Sequence, residues 1–368
     1  MREQIFSGIC VLHGDHEMHI GSLLYYYKSD NAINFRCEEI QYAFILRYKF
    51  LRVLDLGNVR LGSCADRSDF VNIAKLVHLR YLAIGVNTHE IPSEIGNLQN
   101  LETFFITGAL CEVILPEAIW TLASWRHMLI NNFFFSFKHY SQDFFQNFSQ
   151  LENLKSISAI PLRHGDDVEK FILRSLTGIQ KLGCKFSNSW DDSTGCNIFP
   201  VLDYLSELES LKVVFLGKTL YPCKFSFPSN LKKLSMSYSR LPWDEISIIG
   251  QLPNLEVLKL LNKAFEGQQR DMREGEFQKL KFLKLDTLNI ERWNASCEHL
   301  PFLEQLVVLS CQKLEVIPSS FGEIPTLRLI EMKWCSFSAT DSVKKILEER
   351  RDMSNDQLNF TVFGVVHF

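Results

Sequence analysis

The sequence predicts an α/β solenoid that builds a parallel β-sheet from one short strand per repeat, with short helices and turns behind it. Three observations predict this fold. The pattern L-x-x-L-x-L, with other apolar residues in some copies, recurs twelve times. Successive copies lie 22 to 29 residues apart, a spacing typical of stacked repeats. The phrase IPSEIGNLQNLETFFI, which starts at Ile91, returns at Ile317 as IPSSFGEIPTLRLIEM, so the connecting residues repeat as well.

Each copy begins at an apolar anchor residue. The anchors are Leu51, Leu79, Leu101, Trp125, Leu154, Ile179, Leu208, Leu231, Leu255, Leu280, Leu303 and Leu327. Because alternate side chains of a strand face opposite ways, the fourth and sixth pattern positions point into the core and the residues between them point outward. One repeat cannot bury its own apolar stripe, whereas stacked neighbours form a continuous core. The spacing therefore predicts a leucine-rich-repeat solenoid, a horseshoe with a concave parallel sheet.

The segments between the strands are predicted to turn the chain back over the convex side. Pro lacks the N–H that a central strand needs, so Ile-Pro ends the strand and a turn or short helix follows, as in SEIGNLQN. Just after the strands, small polar or thiol side chains can bond the turn backbone. We assign that structural role to Asn87, Ser239, Cys311 and Cys335. The copies anchored at Trp125, Leu154 and Ile179 are degenerate, and the pattern does not fix their boundaries.

The two ends of the chain depart from the repeat, as solenoid ends do. Residues 1–48 are expected to form an N-terminal cap over the first strand, and residues 49–337 to form about twelve repeats. Residues 338–368 are expected to form a C-terminal cap. Within it, SATDSVKKILEERRDM has the pattern of an amphipathic helix capped by Ser or Thr, and QLNFTVFGVV alternates like a closing strand.

Composition excludes several classes of protein. The net charge of −4 argues against a general nucleic-acid binder, and no apolar run is long enough to span a membrane. The ten cysteines are scattered without a C-x-x-C pair, which favours a reducing compartment inside the cell. We therefore expect a cytoplasmic protein, and leave peripheral association with a membrane open.

The sequence contains no convincing site for catalysis, a metal or a cofactor. Cys10, His13, His16 and His19 are spaced by three, but they lack the second ligand cluster that zinc sites use. The single G-K-T, at residues 217–219, would need Gly at position 212 to be a phosphate-binding loop, and Lys212 stands there. No G-x-S-x-G turn is present. We predict that the chain is not an enzyme.

Several of these segments resemble a known family, the plant intracellular coiled-coil nucleotide-binding leucine-rich-repeat disease-resistance receptors. FLRVLDL, LVHLRYLAI and IPSEIGNLQNLETF resemble the first repeats of its late-blight-resistance class from the nightshade family. The longer run from LPWDEISIIGQLPNLEVLKL through LPFLEQLVVLSCQKLEVIPSSFGEIPTLRLIEM to SVKKILEERRDMSND is similar to the same class. The resemblance covers about residues 45–360.

This resemblance implies a sensor in innate immunity. In the family, the repeats recognise a pathogen effector or its host target, hold the receptor inactive through its nucleotide-binding domain and lead to the hypersensitive response. The coiled coil and the ADP/ATP-binding switch domain precede the repeats in that family, and this sequence shows neither. The family's nucleotide therefore cannot be assigned to these residues, and we expect a protein partner only.

The outward strand positions are the candidate binding surface. The residues that we assign to it are Lys181, Lys185, Lys212, Lys233, Lys259, Lys284, Phe105, Leu129 and Glu331. Lysines gathered on one face of an acidic chain would dock an acidic surface, either of an intruding protein or of the receptor's own switch domain. The alternative is that Lys is simply a soluble residue on an outward position. The aromatic run NNFFFSFKHYSQDFFQNF, at residues 131–148, is either irregular core or an exposed anchor for a partner.

Two other functions remain open. An extracellular receptor-like ectodomain would carry glycans, and sequons exist at Asn147, Asn294 and Asn359. A substrate adaptor of a ubiquitin ligase would carry a short helical docking domain before the repeats, and residues 1–48 do not have that pattern.

Overall fold

The computed structural model describes residues 5–6, 9–12, 22–25, 49–61, 68–86, 88–108, 112–130, 134–136, 144, 151–163, 173–187, 197–199, 201–217, 223–353 and 359–363. The chain separates into two compact units. The first contains Met1–Pro161 and Asp167–Gly183, and the second contains Leu162–Asp166 and Cys184–Phe368.

The elements of both units are mostly short strands. Up to the boundary between the units the strands are β1 (Ile5–Phe6), β2 (Ile9–Leu12), β3 (Ser22–Tyr25), β4 (Val53–Leu61), β5 (Tyr81–Val86), β6 (Thr103–Gly108), β7 (Glu112–Ile114), β8 (His127–Ile130), β9 (Phe134–Ser136), β10 (Ser156–Arg163) and β11 (Lys181–Ser187). The strands beyond it are β12 (Asn197–Ile198), β13 (Ser210–Leu216), β14 (Cys223–Lys224), β15 (Lys233–Ser237), β16 (Leu241–Pro242), β17 (Val257–Leu261), β18 (Phe265–Glu266), β19 (Gln269–Asp271), β20 (Phe282–Asp286), β21 (Arg292–Asn294), β22 (Gln305–Leu309), β23 (Leu329–Lys333) and β24 (Asn359–Phe363).

The helices are few and short. The α-helices of the described residues are α1 (Ser68–Ile73), α2 (Ile246–Gly250) and α3 (Phe337–Met353). The 3₁₀ helices are Ser93–Asn97, Glu117–Thr121, Trp243–Glu245, Cys297–His299 and Ser319–Glu323. All five of these 3₁₀ helices lie between two strands of the repeat, where the sequence predicts a turn or short helix.

The apolar anchors set the position of every repeat strand. Each of the twelve predicted anchors is buried, with at most 1% of its surface exposed. Each is followed, two residues later, by the first residue of a strand: Leu51 by Val53, Leu231 by Lys233, Leu327 by Leu329. The degenerate copies keep the same offset, because Trp125 precedes β8, Leu154 precedes β10 and Ile179 precedes β11 by that distance. The predicted leucine-rich-repeat fold is confirmed, including the three copies whose boundaries the pattern left open.

Parallel pairing runs through the first unit. Strands β4, β5, β6 and β8 pair in parallel, and β8 pairs with β10 at Ser156 and Ile157. Strands β1, β2 and β3 pair antiparallel, and β3 joins β4 in parallel, with Ser22 opposite Val53. The segment before the repeats thus places β3 in parallel beside β4, the first repeat strand. The boundary of the N-terminal cap at residue 48 stays a prediction.

The second unit has the more regular sheet. Strands β13, β15, β17, β20, β22, β23 and β24 pair in parallel, five residues at each step. On the return side, β16 pairs with β18 and β19 pairs with β21, also in parallel. Strand β24 lies within the segment that the sequence predicts to close the sheet.

The glycine shared by the two long phrases has a steric reason. A Cβ placed on Gly96 would lie 2.7 Å from the Cβ of Ala118, in the next 3₁₀ helix. A Cβ on Gly322 would lie 3.2 Å from Cγ2 of Ile346, in α3. The returns of neighbouring repeats therefore approach too closely at this position for a larger residue to fit without displacement.

The C-terminal helix begins slightly earlier than the sequence indicated. Helix α3 starts at Phe337, and the Ser336 hydroxyl accepts a hydrogen bond from the N–H of Ala339 at 3.1 Å. Ser336 is thus the N-terminal cap, not a Ser or Thr inside SATDS as expected. The cap was misplaced because three hydroxyl residues within five positions all satisfy the same rule.

A buried ion pair lies within the return between β17 and β20 of the second unit. Arg270 and Glu276 expose only 4% and 2% of their side chains, and the guanidinium donates to the carboxylate. Glu276 also accepts from the Ser247 hydroxyl at 2.7 Å and from the Arg273 N–H at 3.1 Å. Because both carboxylate oxygens have donors, the buried charge is compensated by neighbours in its own return and in α2.

We expect Glu276→Leu to lower the free energy of unfolding by about 3–5 kcal/mol, because it leaves the Arg270 guanidinium buried without its partner. Arg270→Met combined with Glu276→Leu should recover most of that loss. Urea denaturation of the full chain measures both.

The exposed pair Lys345–Asp341, on α3, provides the control. Its atoms lie 3.1 Å apart, and 69% of the lysine side chain is exposed, so Asp341→Ala should cost less than about 1 kcal/mol. An equal loss for Asp341→Ala and Glu276→Leu would contradict the role assigned to the buried pair.

Candidate protein-binding surface

The second unit presents one side of its parallel sheet away from the core. We call this side the outer face; it consists of the first, third and fifth residues of β13, β15, β17, β20, β22 and β23. The second and fourth residues of the same strands, such as Leu234 and Met236, are buried. This alternation follows from the two-residue period of a strand.

The middle row of the outer face contains four of the nine predicted binding residues. In register, its members are Lys212, Ser235, Lys259, Lys284, Val307 and Glu331. The expectation that every middle position is exposed was wrong at Val307, which is only 7% exposed. In the first unit it was also wrong at Ala83, which is fully buried, because these short side chains are covered by their longer neighbours.

The outer face of β13, β15 and β17 is cationic. Its nine residues are Ser210, Lys212, Val214, Lys233, Ser235, Ser237, Val257, Lys259 and Leu261. Three are lysines and none is acidic, so the formal charge is +3. We call Lys212, Lys233 and Lys259 the lysine cluster; all three are exposed.

The outer face of β20, β22 and β23 is charged but balanced. Lys284 Nζ lies 3.1 Å from Asp286 Oδ2, and Lys333 Nζ lies 2.6 Å from Glu331 Oε1, so each pair lies within one strand. Strand β22, between them, presents Gln305, Val307 and Leu309. We call these three strands the balanced stretch, because its two positive and two negative charges sum to zero.

The boundary between the two stretches brings two lysines directly opposite each other. Lys259 and Lys284 are register partners, and like charges in that position repel. Lys284 instead bonds Asp286 on its own strand, while the ammonium of Lys259 lies 5.5 Å from the centre of the Phe282 ring. The ring face attracts the cation weakly and leaves its charge available. Lys284 is therefore largely neutralised and Lys259 is not.

Lysines just outside the cluster are already paired. The residue before each strand alternates in charge: Lys232 bonds Glu209 at 2.7 Å, and Lys281 lies 3.4 Å from Glu256. The hydrogen bond to Glu209 raises the pKa of Lys232. Within the described part of the chain, by contrast, no carboxylate forms an ion pair with Lys212, Lys233 or Lys259.

The other predicted binding residues lie elsewhere. Lys181 begins β11 in the first unit and is exposed, whereas Lys185, four residues later, is half-buried in the second unit. Phe105 and Leu129 are register partners on β6 and β8 of the first unit, and 41% of Leu129 is exposed. These two form a small apolar pair. The predicted residues are thus divided between the two units.

Sequence analysis missed a polar pair in the first unit. His127 Nδ1 and Ser156 Oγ are 2.8 Å apart on neighbouring strands β8 and β10. Burial lowers the pKa of His127, Lys181 and Arg126 lower it further, and Glu102 opposes them. The available signal was that both residues stand two positions after an anchor, where neighbouring repeats place side chains side by side.

The small residues after the strands bond the turn backbone. Ser239 Oγ donates to the carbonyl of Ala264 at 2.7 Å, and the thiols of Cys311 and Cys335 donate to the carbonyls of Leu309 and Val308 at 3.4 and 3.3 Å. Burial raises the pKa of Cys311 to about 12. Asn87 lies outside the described residues.

Two of the sequence motifs cannot be assessed from side-chain positions. Cys10 lies in β2, for which only the backbone is described, and His13, His16, His19 and most of the aromatic segment at residues 131–148 lie outside the described residues. In the described part of the chain, no group of three or more His, Cys, Asp or Glu could hold a metal, and no helix is long and apolar enough to cross a bilayer. Gly217 directly follows β13, at the end of a repeat strand.

Comparison with known families agrees with this geometry. A family described as a leucine-rich repeat region matches residues 31–243. The chain belongs to this leucine-rich-repeat family. The match includes β4 to β16, and therefore both the degenerate copies and part of the regular sheet.

The relatives of this leucine-rich-repeat chain include late-blight-resistance proteins of Solanum demissum. It is 32% identical to putative homologue R1B-16 over 87% of this chain and 24% of that protein. It is 32% identical to another putative late-blight-resistance homologue of that plant over 93% of this chain and 43% of that protein. A late blight resistance protein of the same plant is also 32% identical, over 82% of this chain and 22% of that protein. The chain therefore spans between about a fifth and under half of these relatives. The expected similarity to late-blight-resistance proteins is confirmed.

Two of the solved structures with some similarity to this chain are bacterial. A leucine-rich-repeat protein of Leptospira interrogans has a TM-score of 0.42 at 17% identity, covering 83% of this chain and 84% of that one. An internalin of Listeria monocytogenes has a TM-score of 0.46 at 13% identity, covering 95% and 87%.

The lowered pKa of His127 predicts a pH effect on stability. Because the folded state takes up this proton less readily than the unfolded chain does, the stability that the neutral ring provides is complete above the unfolded pKa of about 6.5. It is lost as the pH falls from that value through the lower folded pKa. His127→Gln should therefore make the free energy of unfolding less dependent on pH between about 7.5 and 5.

Denaturation of the two proteins across that range tests this expectation. His89→Gln, at an exposed histidine of the same unit, is the matched control for the substitution itself. Parallel profiles for the native chain and His127→Gln would show that the ring does not titrate differently in the folded state.

The buried thiol of Cys311 should be inert. With a pKa of about 12, only about one molecule in ten thousand carries the thiolate at pH 8. Iodoacetamide should label the half-exposed Cys297 in the native chain and Cys311 only after unfolding, as read by site-resolved mass spectrometry. Native labelling of Cys311 at the rate of Cys297 would contradict its assignment to the turn.

Proposed function

We propose that this chain is the protein-binding sensor region of a plant disease-resistance receptor. Its outer face recognises a pathogen effector or the host protein that the effector modifies. The same repeats hold the receptor inactive through contacts with its nucleotide-binding domain. Similarity to late-blight-resistance proteins supports the setting, and the outer face of the second unit supports the mode of action.

The lysine cluster is the observation that carries this proposal. A chain of net charge −4 presents three exposed lysines on three neighbouring strands, and no described carboxylate pairs with them. Elsewhere on the outer face, lysines are paired within their own strand. Uncompensated charge on a sheet surface steers an oppositely charged partner and fixes its register. The partner is therefore a protein with an acidic contact surface.

Autoinhibition follows if two partners compete for this surface. While the nucleotide-binding domain occupies it, the receptor stays off. A ligand that prefers the released state then shifts the population toward it. Any ADP or ATP would be held by that domain and not by these repeats, and the receptor would act in the cytoplasm.

The role proposed for this chain is non-catalytic. The His127–Ser156 hydrogen bond is one arrangement in the chain that resembles a nucleophile and its base. Ser156 is only 7% exposed, so a substrate carbonyl would have little access to its hydroxyl. We assign this pair to the pairing of β8 with β10.

Charge reversal of the lysine cluster tests the proposal. Lys212→Glu, Lys233→Glu and Lys259→Glu together should weaken binding of the full chain to the nucleotide-binding domain of a late-blight-resistance relative by about tenfold or more. Binding should also become less sensitive to salt, because the attraction that salt screens is gone. Biolayer interferometry at several salt concentrations measures both.

The matched control reverses three exposed lysines away from the outer face: Lys279, Lys313 and Lys344. It makes the same change in net charge, so a purely global effect would weaken both variants equally. Unchanged affinity in the cluster variant would end the proposal that this surface binds the switch domain.

A further inference from the structure

We propose that the outer face of the second unit binds a partner segment of two-part composition, acidic where it crosses β13, β15 and β17 and apolar where it crosses β20, β22 and β23. This inference rests on the proposed protein-binding function and specifies the chemistry of the partner. It follows from the different surfaces that the two halves of one continuous sheet present.

The lysine cluster favours a partner segment whose first half is acidic. Lys212 and Lys259 are in one row with Ser235 between them, and Lys233 lies in the neighbouring row of the middle strand. Three ammonium groups around a serine attract carboxylates from above. No acidic residue occupies the outer face of these three strands, so an incoming carboxylate meets no like charge there.

The apolar half is required by the balanced stretch. Asp286 already holds Lys284, and Glu331 already holds Lys333, so an acidic side chain placed there would face carboxylates as well as ammonium groups. Leu309 lies between the two ion pairs, and the side chains of Phe282 and Leu329 lie in the first row of the same strands; all three are half-buried. Covering their exposed parts with apolar groups gains hydrophobic free energy without breaking either ion pair.

Strand spacing sets the spacing of the partner's residues. Neighbouring strands are about 4.8 Å apart, so Lys212 and Lys259 are separated by about 10 Å across the sheet. An extended segment crossing the strands advances about 3.3 Å per residue, which places its two matching carboxylates about three residues apart. The six strands span about 24 Å, or seven to eight extended residues.

The same charge pattern disfavours a nucleic acid. A phosphate backbone repeats its negative charge along its whole length, and it gains affinity in proportion to the phosphates that cations neutralise. On this face the cations would satisfy one end of such a strand, while the balanced stretch would place Asp286 and Glu331 near the other end. A partner segment that carries negative charge along only one half of its length fits this face better.

Synthetic peptides of about ten residues test the inference with the full chain. The block peptide carries Asp and Glu with Ser in one half and Leu and Val in the other. A second peptide interleaves the same residues, and a third is polyglutamate of equal length. Fluorescence anisotropy at about 50 and 300 mM NaCl separates the ionic from the apolar contribution. A single-stranded oligonucleotide of the same length is the fourth probe.

Two matched double variants test whether the lysine cluster binds the acidic half of the peptide. Lys212→Ser with Lys259→Ser removes two charges from the cluster. Lys232→Ser with Glu209→Ser also removes two charges, but from the residues just before β15 and β13, outside the outer face, and leaves the net charge unchanged. The first should weaken the block peptide about tenfold and flatten its salt dependence, and the second should change affinity less than about twofold. Leu309→Ser should weaken binding without changing the salt dependence.

The block peptide is expected to bind more tightly than the other three probes. Equal or tighter binding of the interleaved peptide, polyglutamate or the oligonucleotide overturns the inference, and so does a failure of the block peptide to bind. The proposed function is judged separately by the switch-domain experiment. If charge reversal abolishes that association while the block peptide shows no preference, the surface is right and the two-part partner is wrong.

Discussion

The structure depends on one constraint: each repeat must bury an apolar stripe that only its neighbours can cover. The anchors and the second and fourth strand residues provide that stripe. At most 1% of the surface of each anchor is exposed, even where the pattern is degenerate. A slip of one residue would turn every buried side chain to the opposite side of the sheet. Register between neighbouring strands is therefore fixed by the core. The positions of Lys212, Lys233 and Lys259 follow from that register and not from any attraction among the lysines.

Fixed register has a local consequence where the strands end. Tyr238, Asn262, Thr287, Ser310 and Trp334 each follow a strand of the second unit, and all five have positive φ, between 47° and 63°. Side-chain-bearing residues rarely adopt this conformation, which costs about 1–2 kcal/mol apiece. Backbone hydrogen bonds offset it, because the N–H of Asn262 donates to the carbonyl of Asp286 and that of Thr287 donates to the carbonyl of Leu309. The buried Ser239, Cys311 and Cys335 follow within two residues.

The sequence was sufficient for the core because one repeated pattern determines it. Which lysines stay unpaired was harder to predict, although part of the signal was present: Lys284 and Asp286 are two apart, and so are Glu331 and Lys333, and such residues share one face of a strand. No such sequence spacing predicts the buried ion pair of Arg270 and Glu276. Its partners come from irregular returns, whose path depends on packing and not on a period.

The division between core and outer face also explains how the surface of such a chain can change while its fold persists. Truncating a buried leucine of a strand leaves a cavity and costs about 2–5 kcal/mol, whereas replacing an exposed surface residue usually costs less than about 0.5 kcal/mol. Lys212 and Leu211 are adjacent in sequence but belong to different classes. Lys212 is exposed, whereas Leu211 is buried, with 1% of its surface exposed. Surface charge can thus be rearranged strand by strand while the register persists. The cationic and balanced stretches of one sheet, built on the same core pattern, are two outcomes of that freedom.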